Sequence, residues 1–191
     1  MGTEKSADYY DELLQSKTYT GPYLNHPLYK AGVYNEITEY LDVNIDKKKD
    51  GILEISCGTG QFAEYLKELG FDKYHGVDFS EKAIELARKR VEKLKRRFHV
   101  ANILEEAAYK YKKEVVIAME VLEHIKDDHK VFENLPSGTV IIFSVPSFDD
   151  PAHVRHFNTW ESVCYRYSKY LRPGASTKQH SLWFLTIGIV K

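Results

Sequence analysis

Three stretches of this 191-residue chain have residue types and spacings that could do chemistry. The first is Gly51 to Gly60, read together with Asp78. Ile52-Leu53-Glu54-Ile55-Ser56 is a short apolar run that ends in Cys57-Gly58-Thr59-Gly60, and Gln61-Phe62-Ala63-Glu64-Tyr65-Leu66 then takes up helical spacing. That pattern predicts a strand, a glycine turn and a helix. Glycines there let the backbone approach a ligand closely and adopt φ above zero, while the helix start offers free N–H groups and a positive dipole end. Further on, Tyr74-His75-Gly76-Val77-Asp78 reads as a second strand ending in a carboxylate, placed to accept both hydroxyls of a ribose. Glu54 is unexpected inside a buried parallel strand unless it has a task, and holding a ligand ammonium group is one. The second stretch is Met119-Glu120-Val121-Leu122-Glu123-His124, and the third is the loop His153-Val154-Arg155-His156. His124 and His156 are candidates to take a proton from a hydroxyl or amine, since an imidazole titrates near neutrality. Glu120, Glu123 and His124, with a histidine from the loop, are also the ligand types that bind a divalent cation.

Strands and helices that alternate through the chain must position these groups. Ser80 is a good N-cap for a helix whose apolar positions Ala83, Ile84, Ala87 and Val91 line one face. Phe98 to Ala101, Glu114 to Met119 and Gly138 to Val145 read as the third, fourth and fifth strands, and Thr159 opens a helix reaching Tyr170. Ser181 to Val190 is a long final strand, whereas Leu171 to Gln179 has turn chemistry and yields no clear strand. Ahead of the first strand, a helix is predicted over Ala7 to Leu14, and another begins at Asn25-His26-Pro27.

Composition narrows the options. With 43% apolar residues the chain can bury one domain, residues 1–191, and is too short for two of ordinary size. Its 27 basic and 28 acidic residues leave no global field to draw in nucleic acid, so no nucleic-acid partner is expected. Cys57 and Cys164 are in no metal-type spacing, which points to a reducing compartment. No apolar run approaches the length of a membrane span, so the expectation is a cytoplasmic protein with no membrane partner. Oligomeric state stays open.

The order Glu54-x-x-Cys57-Gly58-Thr59-Gly60, then Gly76-Val77-Asp78-Phe79-Ser80, then Met119 to His124 resembles the class I S-adenosylmethionine-dependent methyltransferases over residues 50–146. The resemblance implies an α/β fold: a Rossmann-like, doubly wound, mostly parallel sheet with a final antiparallel strand, residues 50–191 forming the core and residues 1–45 an N-terminal helical lid. It implies S-adenosylmethionine as cofactor, S-adenosylhomocysteine as product, and a small-molecule acceptor methylated on O or N. Carried onto this chain, the cofactor would lie against Glu54, Ser56, Cys57, Gly58, Gly60, Phe62, Asp78, Phe79, Met119 and Glu120. Asn102 would meet the adenine amino group and Ile103 its ring. Tyr10 and Tyr19 would approach the sulfonium, since a ring face attracts a cation by roughly 0.5 to 2 kcal/mol. Ser56 stands where the family usually has glycine. The Glu-x-x-Glu-His spacing also looks like that of ubiquinone-pathway O-methyltransferases and small-RNA 3′-end methyltransferases, where a metal gathers the acceptor hydroxyls; the same residues occur in this fold without metal, and none is expected here. Arg155 is expected to face an anionic acceptor group or to pair with Asp149 or Asp150. Two alternatives remain: an NAD-dependent oxidoreductase, because Gly58-x-Gly60-x-x-Ala63 fits the dinucleotide pattern, and a methyltransferase acting on a peptide or RNA end.

Overall fold

A computed structural model describes residues 2–14, 30–111 and 113–191. Seven strands form one sheet in the order β3-β2-β1-β4-β5-β7-β6. They are β1 (Ile52–Ile55), β2 (Tyr74–Asp78), β3 (Phe98–Val100), β4 (Val115–Met119), β5 (Val140–Pro146), β6 (Ser176–His180) and β7 (Trp183–Ile189). The first five run parallel, and β7 lies antiparallel between β5 and β6. Helices α1 (Ala7–Leu13), α2 (Asn35–Asn44), α3 (Gln61–Glu68), α4 (Glu81–Arg90), α5 (His129–Glu133) and α6 (Trp160–Tyr167) accompany it.

Strand periodicity divides the core. Successive side chains of a strand point to opposite faces. Accordingly Leu53, Ile55, Val116, Ala118, Ile141 and Phe143 join one buried cluster, while Ile52, Val115, Ile117 and Ile142 join another. All four residues of β1 are buried, as a strand covered on both faces requires. Ser80 caps α4 as predicted, its hydroxyl accepting from Ala83 N at 2.9 Å. Gly76 is required by close approach: a Cβ there would come within 3 Å of the Tyr74 Oη, the Cys57 Sγ and the Phe98 ring.

The stretch 171–179 corrects the sequence reading, because β6 covers its end and runs on to His180. Its Ser-Thr-Lys-Gln-His sequence has no buried position, since it is the sheet's outer strand, so no apolar alternation betrays it. Pairing with β7 across a two-residue turn at Ser181-Leu182 supplies the strand instead. The predicted helix start at residues 25–27 lies outside the described residues. Downstream, a π-helical turn at Lys30–Tyr34 runs directly into α2.

In an open sheet of this kind, ligands bind outside the carboxyl ends of the strands where the order reverses. Here that point lies between β1 and β4.

Candidate functional site

A cavity of about 670 Å³ opens at that point. One half is built on β1 and β2. After Ile55 the chain turns through Ser56 (φ 58°), Gly58 (φ 52°) and Gly60 (φ 77°), and α3 begins at Gln61. Asp78, at the end of β2, faces that turn. Its Oδ2 accepts from Gly58 N at 2.9 Å and its Oδ1 from Ser80 N at 3.0 Å. Burial raises its pKa, with the backbone amides of Ser80, Gly58 and Phe79 opposing the rise in part. Each oxygen keeps a lone pair for a further donor. Glu54 is buried and accepts a short hydrogen bond from Tyr74 Oη. Burial pushes its pKa up to about 8, with Tyr74 opposing and Asp78 adding to the rise. A carboxyl this far from water is ready to take up a cationic ligand group.

The other half is built on β4, β5, β7 and the loop after β5. Glu120 follows β4 with φ 51°. Its Oε1 accepts from Ser144 Oγ at 2.8 Å and its Oε2 from Trp183 Nε1 at 2.7 Å. The next residues make a 3-10 turn, Leu122–His124, that carries Glu123 and His124. Glu123 is fully buried, and neither carboxylate oxygen has a hydrogen-bond partner. Burial raises its pKa well above the carboxylate range, and Glu120 raises it further. Burial lowers that of His124. His124 Nε2 lies 3.7 Å from Glu123 Oε1, beyond hydrogen-bond distance.

The imidazoles are oriented from behind. His124 Nδ1 lies 3.0 Å from the Ala152 carbonyl, and His153 Nδ1 lies 3.2 Å from that of Phe148. A carbonyl only accepts, so each Nδ1 carries a proton, and in the neutral tautomer that this selects the lone pair is on Nε2. This is how metal-binding histidines are usually oriented. Glu123, His124 and His153 each offer a ligand atom within 4.8 Å of the others. Two bare imidazole nitrogens beside an unpartnered buried carboxylate make a donor set that fits a divalent cation.

Most sequence-derived candidates converge on the cavity. Glu54, Ser56, Cys57, Gly58, Phe62, Asp78, Phe79, Asn102, Ile103, Met119, Glu120 and His124 line it, as does Tyr10 of α1. Tyr10 meets Phe79 and His124 edge-on, both with centroids 5.8 Å apart. Tyr19 lies outside the described residues. Gly60 is not on the wall; it shapes the turn behind it and packs on Ala87. His156 is also off the wall and lies 3.7 Å from Asp149, so the histidine that the loop brings to His124 is His153, at a ring distance of 4.9 Å. Nor does Arg155 pair with Asp149 or Asp150: it lies 3.2 Å from Asp128.

Sequence reasoning missed Tyr34, Phe148 and Trp183, which also line the cavity. Tyr34 is the last residue of the π-helical turn, and such turns recur at functional sites. No spacing rule marks Phe148 or Trp183, because β5 and β7 bring them together from 35 positions apart, with ring centroids 6.2 Å apart.

Comparison with known proteins agrees with this geometry. Residues 29–176 match the family model described as a methyltransferase domain. A ubiquinone biosynthesis O-methyltransferase of Coxiella burnetii is 24% identical over 155 residues, which is 73% of this chain; the chain spans 65% of that relative's length. Among solved structures, the PH0226 protein of Pyrococcus horikoshii superimposes with a TM-score of 0.66 at 20% identity, over 94% of this chain and 99% of that one. The N-methyltransferase NodS of Bradyrhizobium japonicum, solved with S-adenosyl-L-homocysteine, gives 0.61 at 17% identity, over 95% and 97%. With its family model covering well over half the chain, and its sheet order and strand-end turn in agreement, the protein belongs to the methyltransferase-domain family of class I S-adenosylmethionine-dependent methyltransferases.

Proposed function

We propose that the protein moves a methyl group from S-adenosylmethionine to an oxygen, or alternatively a nitrogen, of a small-molecule acceptor. The observation that carries this reading is the pair of buried carboxylates, Glu54 and Asp78, on either side of the Ser56–Gly60 turn in a cavity that continues to Glu120 and His124. The cofactor supplies an activated methyl group on a sulfonium, already a good leaving group. Asp78 accepts the ribose hydroxyls, Glu54 receives the ammonium group, and the backbone from Ser56 to Gly58 holds the amino-acid tail. Asn102 and Ile103 flank the adenine. Tyr10 and Tyr34 offer ring faces near the reacting centre. The chain's main contribution is to hold the acceptor in line with the methyl group, away from water. Residues of α1 line the mouth, which supports the N-terminal segment as a lid.

Oxygen is the favoured acceptor atom because of the Glu123, His124 and His153 triad. Those residues would hold a divalent cation, which when bound lowers the pKa of an acceptor hydroxyl and orients it. This replaces the metal-free site expected from sequence, and it rests on the unpartnered Glu123 carboxylate. Among the described residues no helix is long and apolar enough to cross a membrane. A cytoplasmic setting belongs to the same proposal, supported by Cys57 and Cys164 standing as separate free thiols.

Thermal unfolding with S-adenosylhomocysteine and, separately, with NAD tests the reading. A ligand of the native state raises the midpoint. The first compound is expected to raise it and the second to leave it unchanged; a response to NAD alone would establish the oxidoreductase instead.

A further inference from the structure

The Glu123-His124 turn and the His153 loop are separate in sequence, and Arg155 ties them together. Its Nη1 donates to the carbonyls of Leu122 and Ile125, and its Nη2 to that of Lys126 at 2.9 Å. Those carbonyls flank the 3-10 turn, which is too short to satisfy them within itself. The adjoining backbone adds to the clamp. Val154 N donates to the Glu123 carbonyl at 2.8 Å, and Arg155 N reaches the same oxygen at 3.4 Å. Behind the guanidinium, fully buried Asp128 lies 3.2 Å from Arg155 Nη1. Asp128 is itself held by Arg166 at 2.6 and 2.9 Å and by Tyr167 Oη at 2.8 Å. Arg155 cannot shift without giving up several of these bonds.

We infer that Arg155 is a positioning residue, which sets His153 and His124 against Glu123 by gathering the carbonyls of Leu122, Ile125 and Lys126. It does not meet the acceptor, and its charge is directed toward the fold. Lysine would not replace it: a single ammonium lacks the planar fork needed to serve three separate carbonyls and a carboxylate. The consequence for function rests on reading the triad as a cation site, whereas the consequence for the histidines does not.

Arg155→Lys and Arg155→Gln are compared with wild type in three measurements on the full chain. Calorimetry with S-adenosylhomocysteine is expected to give a dissociation constant within about twofold of wild type, because the partners of Arg155, Leu122, Ile125, Lys126 and Asp128, include none of the residues assigned to the cofactor. Ring-nitrogen NMR is expected to show His124 and His153 as Nδ1-protonated tautomers in wild type and as tautomer mixtures in both variants. Titration with Mn2+ is expected to show binding weakened about 10- to 100-fold, the usual cost of disturbing the groups that orient metal ligands, with no rescue by lysine. Wild-type ring signals in Arg155→Lys would overturn the inference. So would a parallel loss of cofactor affinity, which marks a general structural role. Should wild type take up no Mn2+, the cation reading fails by itself and the ring signals still decide the role of Arg155. Should neither variant fold, Arg166→Lys, which loosens Asp128 from the opposite side, is expected to move the same signals by a smaller amount; unchanged signals there would also overturn it.

Discussion

The two halves of the site differ at one carboxylate, Glu123, which lies behind the cavity wall. On the β1–β2 side the chain supplies its own donors: Tyr74 for Glu54, and the amides of Gly58 and Ser80 for Asp78. On the β4 side Ser144 and Trp183 serve Glu120, yet Glu123, the most deeply buried of the four, receives nothing. A buried charge without a partner costs several kcal/mol and is avoided by staying neutral or by binding a cation. In the first half the chain itself hydrogen-bonds every carboxylate, and in the second it leaves Glu123 without a hydrogen-bond donor.

The largest expected effect tests the separateness of the halves. On the proposed reading Asp78→Ala removes an acceptor for two hydroxyls, each bond to a charged group contributing about 1.5 to 3 kcal/mol. Affinity for S-adenosylhomocysteine, measured by calorimetry, should fall by about 100-fold or more, while Glu123→Gln should leave it near wild type. An equal loss in both variants would mean that the halves are one site. Next comes the cation. At about 100 times its dissociation constant, Mn2+ would stabilise the fold by about 2.7 kcal/mol, several degrees in the thermal midpoint of a chain this size. Glu123→Gln and His153→Gln should abolish that rise and His156→Gln should not; the reverse pattern would return the loop's role to His156.

A third test uses pH. The folded-state pKa of Glu54 is raised from 4.5 to about 8. As pH climbs through that window the unfolded chain ionises this group while the folded chain keeps it neutral, so stability declines until about pH 8 and then levels. The thermal midpoint of the ligand-free protein should show that decline. Glu54→Gln should make it shallower, with Glu120 and Glu123, whose pKa values burial also raises, carrying the remainder, and S-adenosylhomocysteine, whose ammonium favours the ionised carboxylate, should also reduce it. An unchanged slope in Glu54→Gln would mean that Glu54 does not carry the effect.

The same contrast explains what could be read from the sequence. The cofactor half is local: a strand, a glycine turn and an acid at the next strand's end lie within residues 51–78, and spacing alone exposes them. Half of the second site is local too, since Glu120, Glu123 and His124 share one turn. Its remaining members are chosen by tertiary contacts. His153 and His156 are both three residues or fewer from Arg155, and nothing in their spacing says which faces inward; the clamp on Leu122, Ile125 and Lys126 decides it. Trp183 reaches Glu120 only because β7 pairs with β5, placing Trp183 opposite Pro146. The polar edge strand β6 leaves no periodic trace at all.

The smallest effect concerns Ser56, where the family's usual glycine is missing. A non-glycine residue at φ 58° bears a backbone cost of about 1 to 2 kcal/mol, and it lines the cavity. Ser56→Gly removes that cost but restores freedom to the unfolded chain, at about 0.5 to 1 kcal/mol. The net gain should be a degree or two in thermal midpoint. If strain is retained because the hydroxyl donates to the carboxylate of the cofactor's amino-acid tail, the same substitution should weaken S-adenosylhomocysteine binding about tenfold, the worth of one hydrogen bond to a charged group. A more stable variant with undiminished affinity would show that the serine is tolerated there and holds nothing, leaving the grip on the cofactor to the backbone of the turn and to the two carboxylates beside it.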